Sequence, residues 1–461
     1  MPLTPRSDSG LYQDVPKGVP RTRNLFIFST LSAILPAGVF QSDQGTPRVC
    51  VRVECGNRST GQTERRLKIG IVGARLAGSY AAQILARSGH EVLLIDPGVE
   101  EEKACGGGIT AKAYATIPCL SERSLPHTTI QSVRLVAWGG RCTELHLKHP
   151  IRVYSRNLLD RSLREAALKA GARHLSERVR GLTRQGNGWA IHTQEGTCEV
   201  DFVVGADGAK STVRACLASR FALTDLTLAL GYYVPGRFHT NHIVVAFQEP
   251  GFIGYIWSFP RVDHVSAGIL RWLPEANAME LKRRLSRFMA RTYPEDAPGR
   301  QFYAARIPCL SRRRLSRQRI CGADWALLGD AAGFADAITG EGIYYALRSA
   351  ELLARAIKED YPRAYERYWR EDFGAELMRA AAWRDRFYGA AALWPPLRDY
   401  ALRAAANRPE SDLLFDRLVA GQCTYRGVLL KAVLNSPAIV LEVLRGRFPG
   451  LRGAPGAQRQ G

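Results

Sequence analysis

What most constrains this chain is an apolar run, Leu67 to Val72, that breaks at Gly73-Ala74-Arg75-Leu76-Ala77-Gly78 and restarts with helical periodicity from Ala77 to Ser88. Gly89 stops the helix, and Glu91 to Ile95 reads as a second buried strand. A short apolar run bounded by glycine fits a strand covered on both faces, and the 3.6-residue repeat after it fits a helix laid across one face. Strand, tight turn, helix and strand within about 30 residues open a doubly wound parallel sheet. In a dinucleotide-binding turn the first glycine makes the bend, the middle position lets the backbone approach a pyrophosphate, and the last packs helix on strand. An acid about 20 residues on then takes ribose hydroxyls. Gly73, Ala74, Ala77 and Gly78 occupy such a turn, and Asp96 stands where the acid belongs. Arg75 fills the middle position, where its side chain either crowds the phosphates or pairs with them as a cation.

Two later strand ends carry similar punctuation. The apolar run Phe202 to Val204 ends at Gly205-Ala206-Asp207-Gly208-Ala209-Lys210-Ser211-Thr212-Val213-Arg214. Trp325 to Gly329 runs into Asp330 within Leu328-Gly329-Asp330-Ala331-Ala332-Gly333, and Gly340-Glu341-Gly342-Ile343 precedes a helix to about Ile357. A carboxylate at a strand end is well placed to accept from a sugar hydroxyl, and glycines before a helix permit close approach to its free N–H groups. Between these motifs, Asn157 to Ala170 reads as a helix closed by Gly171. Gly186-Asn187-Gly188 and Glu195-Gly196 then mark the turns of a β-meander. From Leu223 to Pro308 alternating strands dominate, as expected for an antiparallel sheet.

Over roughly Leu67 to Arg447 the sequence resembles the flavoproteins that include aromatic hydroxylases, flavin-dependent halogenases and geranylgeranyl reductases. The resemblance implies FAD as cofactor. It assigns Gly73, Gly78 and Asp96 to the ADP half, Arg156 of Arg156-x-x-x-Asp160 to a cofactor contact, and Asp330 to the ribityl chain. Ala74, Ala77, Asp207, Gly329, Gly340, Gly342 and Ile343 complete the expected cofactor set. The helix after Gly342 would aim N–H groups at the flavin pyrimidine ring, where reduction builds negative charge, an attraction of order 1 kcal/mol. Two segments narrow the family. Lys103-Ala104-Cys105-Gly106-Gly107-Gly108-Ile109-Thr110 looks like the Cys-Gly-Gly-Gly loop of geranylgeranyl reductases, and Gly254-Tyr255-Ile256-Trp257-Ser258-Phe259-Pro260 is similar to their aromatic-x-Trp-x-Phe-Pro stretch. Halogenases typically show Trp-x-Trp-x-Ile-Pro there. Strand alternation puts Tyr255, Trp257 and Phe259 on one face, three rings fit to wall an apolar tunnel.

The fold expected is α/β, with a discontinuous Rossmann-type FAD-binding domain over 66–104, 151–222 and 316–360. An antiparallel-sheet substrate domain takes 105–150 and 223–315, and a helical C-terminal region takes 361–449. Residues 450–461 read as a disordered tail, and residues 1–65 as an extension, disordered or the product of a start placed too early. The apolar stretch Asn24 to Phe40 falls short of the ~20 residues of a membrane span. The reaction implied is reduction of carbon–carbon double bonds in a polyprenyl group. An isolated alkene takes hydride poorly, so a proton donor must act with it; Cys105 is the first candidate, Tyr255 or a bound water the next, with Trp257 beside them. A monooxygenase or halogenase on the same scaffold is the alternative, and a degenerate non-catalytic flavin fold a further one. No second dinucleotide turn is present, so the external electron donor, NADPH or ferredoxin, stays open.

Composition enters through charge. The formal net charge of +21 suits a phosphorylated head group, an anionic membrane surface or nucleic acid, but no nucleic-acid motif is present and that partner is not expected. Ten cysteines without a C-x-x-C pair indicate neither a zinc site nor a disulfide framework. No metal is expected, and a reducing cytoplasm fits best, with membrane association left open.

Overall fold

The first apolar run forms β1 (Lys68–Val72), crosses over through the helix Leu76–Arg87, and returns as β2 (Glu91–Ile95), parallel to it. The computed structural model describes residues 66–98, 102–137, 140, 142–236, 240–249, 251–293 and 299–393. The expectations for residues 1–65, for the helical region beyond 393 and for the tail at 450–461 lie outside them. Along the chain follow β3 (Gly108–Ile109), β4 (Thr128–Val136) and β5 (Cys142–Val153), then the helix Arg156–Lys169 and β6 (Arg173–Leu175). The meander is β7 (Gly181–Gln185), β8 (Gly188–His192) and β9 (Thr197–Val200), a sheet of its own. Next come β10 (Phe202–Gly205), β11 (Leu226–Pro235), β12 (His242–Phe247), β13 (Gly254–Pro260), β14 (His264–Trp272), β15 (Gln301–Pro308) and β16 (Trp325–Leu327).

The parallel sheet has the order β16-β10-β1-β2-β6. Its register decides the site. Val72 pairs with Gly205, and Gly205 with Leu327, so the three glycine-bearing turns leave the sheet side by side from one edge. Ile69, Ile71, Val203, Val204, Ala326 and Leu327 are fully buried, which accounts for runs with no polar alternation. The helices Leu76–Arg87 and Ile343–Lys358 pack together over this sheet.

The second sheet has the order β15-β11-β14-β13-β12-β4-β5-β3. It departs from the antiparallel expectation at one seam, where β4 and β12 run parallel. A parallel pair needs a long crossover, and the chain from β5 to β11, which contains two of the five strands of the nucleotide sheet, is that crossover. The helix Ala278–Thr292 covers one face with Leu281, Leu285 and Met289. After a turn over residues 359–363 the chain is helical from Ala364 to Leu393, through a π-helical turn at Arg370–Gly374. There Trp369 and Phe373 pack on Phe334, just beyond the third turn.

Candidate functional site

A cavity of about 1820 Å³ lies between the nucleotide sheet edge and the second sheet. It exceeds the roughly 300–1,000 Å³ of common small-molecule pockets, room for a dinucleotide together with a long substrate. Gly73, Ala77, Asp96, Cys105, Arg156, Asp207, Tyr255 and Trp257 line it, as do Gly329, Asp330, Gly340, Gly342 and Ile343. Ala74 and Gly78 stand behind the wall and shape it. Ala74 N–H donates to Asp96 Oδ2 at 2.9 Å, while a Cβ on Gly78 would come within 1.8 Å of Gly73 O. Gly73 has φ +104, and its Cβ position would meet Ala206 O at 2.4 Å, so the first two turns touch backbone to backbone. That contact explains both glycines without any appeal to a ligand, and it leaves the edge of the sheet open.

Arg75 is tied to a buried carboxylate. Its Nη1 donates to Asp160 Oδ2 at 3.1 Å, and Arg156 Nη2 donates to Asp160 Oδ1 at 2.9 Å. Arg156 and Asp160 are both buried; burial alone would pull the Arg156 guanidinium down, and Asp160 together with Cys105 more than offsets it. Two cations share one carboxylate beside the first turn, so one positive charge is left facing the cavity. Arg156 Nε is buried with no hydrogen-bond partner among the described residues, an arrangement suited to an anion such as a pyrophosphate.

Asp207 holds its own turn. Ser211 Oγ donates to its Oδ1 at 2.5 Å and Thr212 N to its Oδ2 at 2.6 Å, while burial pushes its carboxyl up. Asp330 Oδ2 instead accepts from Lys103 Nζ at 3.1 Å, across the cavity. A carboxylate and an ammonium facing each other at the third turn are a donor–acceptor pair of the kind a polyhydroxylated chain can bridge. The donor set and the glycine-lined edge therefore fit FAD.

Sequence reasoning missed the clamp on the cysteine loop. Arg261 is fully buried and pairs through Nη1 with Glu102, while its Nη2 donates to Cys105 O at 2.6 Å. Ser266 Oγ donates to the same carbonyl at 2.9 Å. Glu102 in turn accepts from Ser155 Oγ at 2.7 Å, Arg156 N at 2.5 Å and Asn157 N at 3.0 Å, and so caps the helix that carries Arg156. Burial raises the Glu102 carboxyl, but Arg261 and the three donors outweigh it and hold it below its ordinary range. Cys105 Sγ accepts from Gly107 N at 3.3 Å. Tyr255 OH donates to Thr339 O at 2.5 Å, and burial, then Asp336 and Cys105, raise its pKa. Glu341, which sequence reasoning passed over for the glycines around it, also lines the cavity. Beyond Tyr255 and Trp257 the lining turns apolar, with Val133, Leu135, Ile243, Val245, Phe247 and Phe259. No helix of the described residues is long and apolar enough to cross a membrane.

The family model described as FAD binding domain matches residues 66–366. The chloroplastic geranylgeranyl diphosphate reductase of Arabidopsis thaliana is 28% identical over 346 residues, covering 68% of this chain and 70% of that protein. Digeranylgeranylglycerophospholipid reductase 2 of Methanothermobacter thermautotrophicus is 28% identical over 342 residues, with 68% and 86% covered. Among solved structures, a geranylgeranyl bacteriochlorophyll reductase-like protein from Thermoplasma acidophilum superposes with a TM-score of 0.66 at 21% identity. The match covers 80% of this chain and 98% of that one, a likeness of fold. With three turns converging on one glycine-lined edge and the match running from the first strand past the third turn, the chain belongs to the FAD-binding-domain family.

Proposed function

We propose that this chain is an FAD-dependent oxidoreductase that hydrogenates carbon–carbon double bonds of a geranylgeranyl or other polyprenyl group. The observation that carries the reading is the continuity of the cavity. A polar, arginine-bearing end at the parallel sheet runs past Cys105, Tyr255 and Trp257 into a stretch walled by aliphatic and aromatic side chains of β4, β12 and β13. The names of the two relatives, both reductases of geranylgeranyl compounds, support the same substrate class. The glycine edge would hold a reduced flavin, which would supply hydride. The chain itself does the rest: Trp257 and Phe259 hold an apolar tail and keep water off it, while the Arg261–Glu102 clamp sets the Cys105 loop beside it. An external donor, a nicotinamide or ferredoxin, must restore the reduced state.

Anaerobic incubation of dithionite-reduced protein with geranylgeranyl diphosphate, followed by mass spectrometry, tests this. Products heavier by successive pairs of hydrogens are expected. Oxygen consumption with an oxygenated or halogenated product would replace the reading with the monooxygenase or halogenase alternative.

Peripheral contact with an anionic bilayer extends the proposal. Leu223 is 62% exposed, and the arginine-rich helix Arg312–Arg317 lies beside its turn, with Arg314 Nε 3.5 Å from Asp225 Oδ2. An apolar tip beside a cluster of cations suits a negatively charged membrane surface. Vesicle co-sedimentation that rises with anionic lipid content and falls with salt is the expected result.

A further inference from the structure

Hydrogenating an isolated alkene needs an acid, and of the two donors expected from sequence Tyr255 has its proton committed. Tyr255 directs its proton to a backbone carbonyl, and the Cys105 sulfur accepts from Gly107 N. A third acid faces the same cavity. Glu341 sits between Gly340 and Gly342 at the start of the Ile343–Lys358 helix, on a turn closed from within. Asp336 N donates to Glu341 O at 2.9 Å, Gly340 N to Asp336 O at 2.9 Å, and Glu341 N to Thr339 Oγ1 at 3.2 Å. Thr110 Oγ1, from the far end of the Cys-Gly-Gly-Gly loop, donates to Glu341 Oε1 at 3.2 Å. The other carboxyl oxygen makes no hydrogen bond among the described residues, so a proton on it is free to point into the cavity.

Resting on the reductase reading, we propose that Glu341 is a catalytic residue whose carboxyl donates the proton to the alkene. The π bond breaks and two C–H bonds form: one alkene carbon takes the Glu341 proton, the other takes the hydride supplied by reduced flavin. The alkene is reduced by two electrons, the flavin is oxidised by two, and Glu341 is left as a carboxylate that regains a proton from solvent.

The surroundings agree with this role. Burial raises the Glu341 pKa to about 7, helped by the negative charge of Asp336 and opposed by Lys112 and the Thr110 hydroxyl. Tyr344 and Tyr345 on the following helix also face it. An acid poised near neutrality is matched to proton transfer at physiological pH.

The test uses the full-length, flavin-loaded protein in anaerobic single turnovers with geranylgeranyl diphosphate. The wild-type rate should be flat below pH 7 and fall about tenfold per unit above it, since the protonated form is the active one. Glu341→Gln should retain flavin absorbance yet lose at least about 100-fold in rate, in line with removal of a general acid. Glu341→Asp should recover part of that rate with a shifted inflection. Infrared difference spectra of the protein with and without flavin should show a carboxyl titrating near pH 7 that Glu341→Gln removes. A Gln variant with wild-type rate and pH profile, or with the titrating band intact, overturns the proposal. Should that variant lose its flavin, an unshifted inflection in Glu341→Asp overturns it and a shifted one supports it. Wild-type protein that forms no saturated product instead refutes the reductase reading, and the proposal falls with it.

Discussion

Replacing Arg261 by methionine removes a fully buried cation and keeps much of its volume. The side chain pairs with Glu102 and donates to Cys105 O at 2.6 Å. After the change, Glu102 keeps its hydrogen bonds from Ser155, Arg156 N and Asn157 N, but its charge stands uncompensated at a largely buried position. Breaking a buried ion pair from one side costs about 3–5 kcal/mol. At roughly 1 °C per kcal/mol in a chain of this size, the melting temperature should drop by about 3–5 °C. The second variant, Arg261→Met with Glu102→Gln, removes the stranded charge while the amide oxygen still accepts from the helix N-terminus, and should recover at least about 2 kcal/mol. The pH dependence has a definite sign. Glu102 titrates below its ordinary value of 4.5 in the folded protein, so the pair stabilises above that value and the benefit is lost as pH falls through the folded pKa. The gap between wild type and Arg261→Met should therefore narrow as pH falls through the carboxylate range. Urea denaturation across pH 3 to 8 measures all three effects. A loss under about 1 kcal/mol at pH 7, or an equal loss whether or not Glu102 is present, refutes the account of the clamp as a charge-compensated hub.

Gly78→Ala should give protein unable to hold flavin, because the added Cβ lies 1.8 Å from Gly73 O and backbone must move; reconstitution followed by visible absorbance checks it. Asp330→Ala should weaken flavin binding about 10- to 100-fold, the worth of a hydrogen bond to a charged acceptor, measured by fluorescence titration. Cys105→Ala should keep its flavin and slow turnover by less than about tenfold, since the loop is held through the Cys105 carbonyl and not its sulfur; stopped-flow reoxidation of the reduced protein reads this directly.

The parallel sheet was legible because its signals are local. Each strand is an apolar run bounded by glycine, and both flanking helices keep a 3.6-residue repeat. The convergence of the three turns followed from motif order, and the register of Val72, Gly205 and Leu327 gives it physical form. What escaped was long-range. Arg261 and Glu102 are 159 residues apart in sequence, Arg75 and Asp160 are 85 apart, and neither pair leaves a periodic trace. Arg75 looked like a defect in a glycine turn, and only its partner's position turns it into one arm of a shared ion pair. The parallel seam between β4 and β12 was hidden for the same reason: alternation reveals that a strand has two faces, not which neighbour lies beside it or in which direction it runs. Glu341 was overlooked because two glycines drew attention to backbone freedom at a place where the side chain faces the cavity.

The row formed by Val72, Gly205 and Leu327 also bears on how the protein comes into being. Its members are contributed by residues emerging near the beginning, the middle and the last third of synthesis, and β16, on the outer edge, arrives last. A nascent chain halted before Trp325 possesses two of the three grips and lacks Asp330. If all three hold the nucleotide, its tight capture would be a late event on the ribosome, and supply of FAD during translation should stabilise only chains that have already extended past that point.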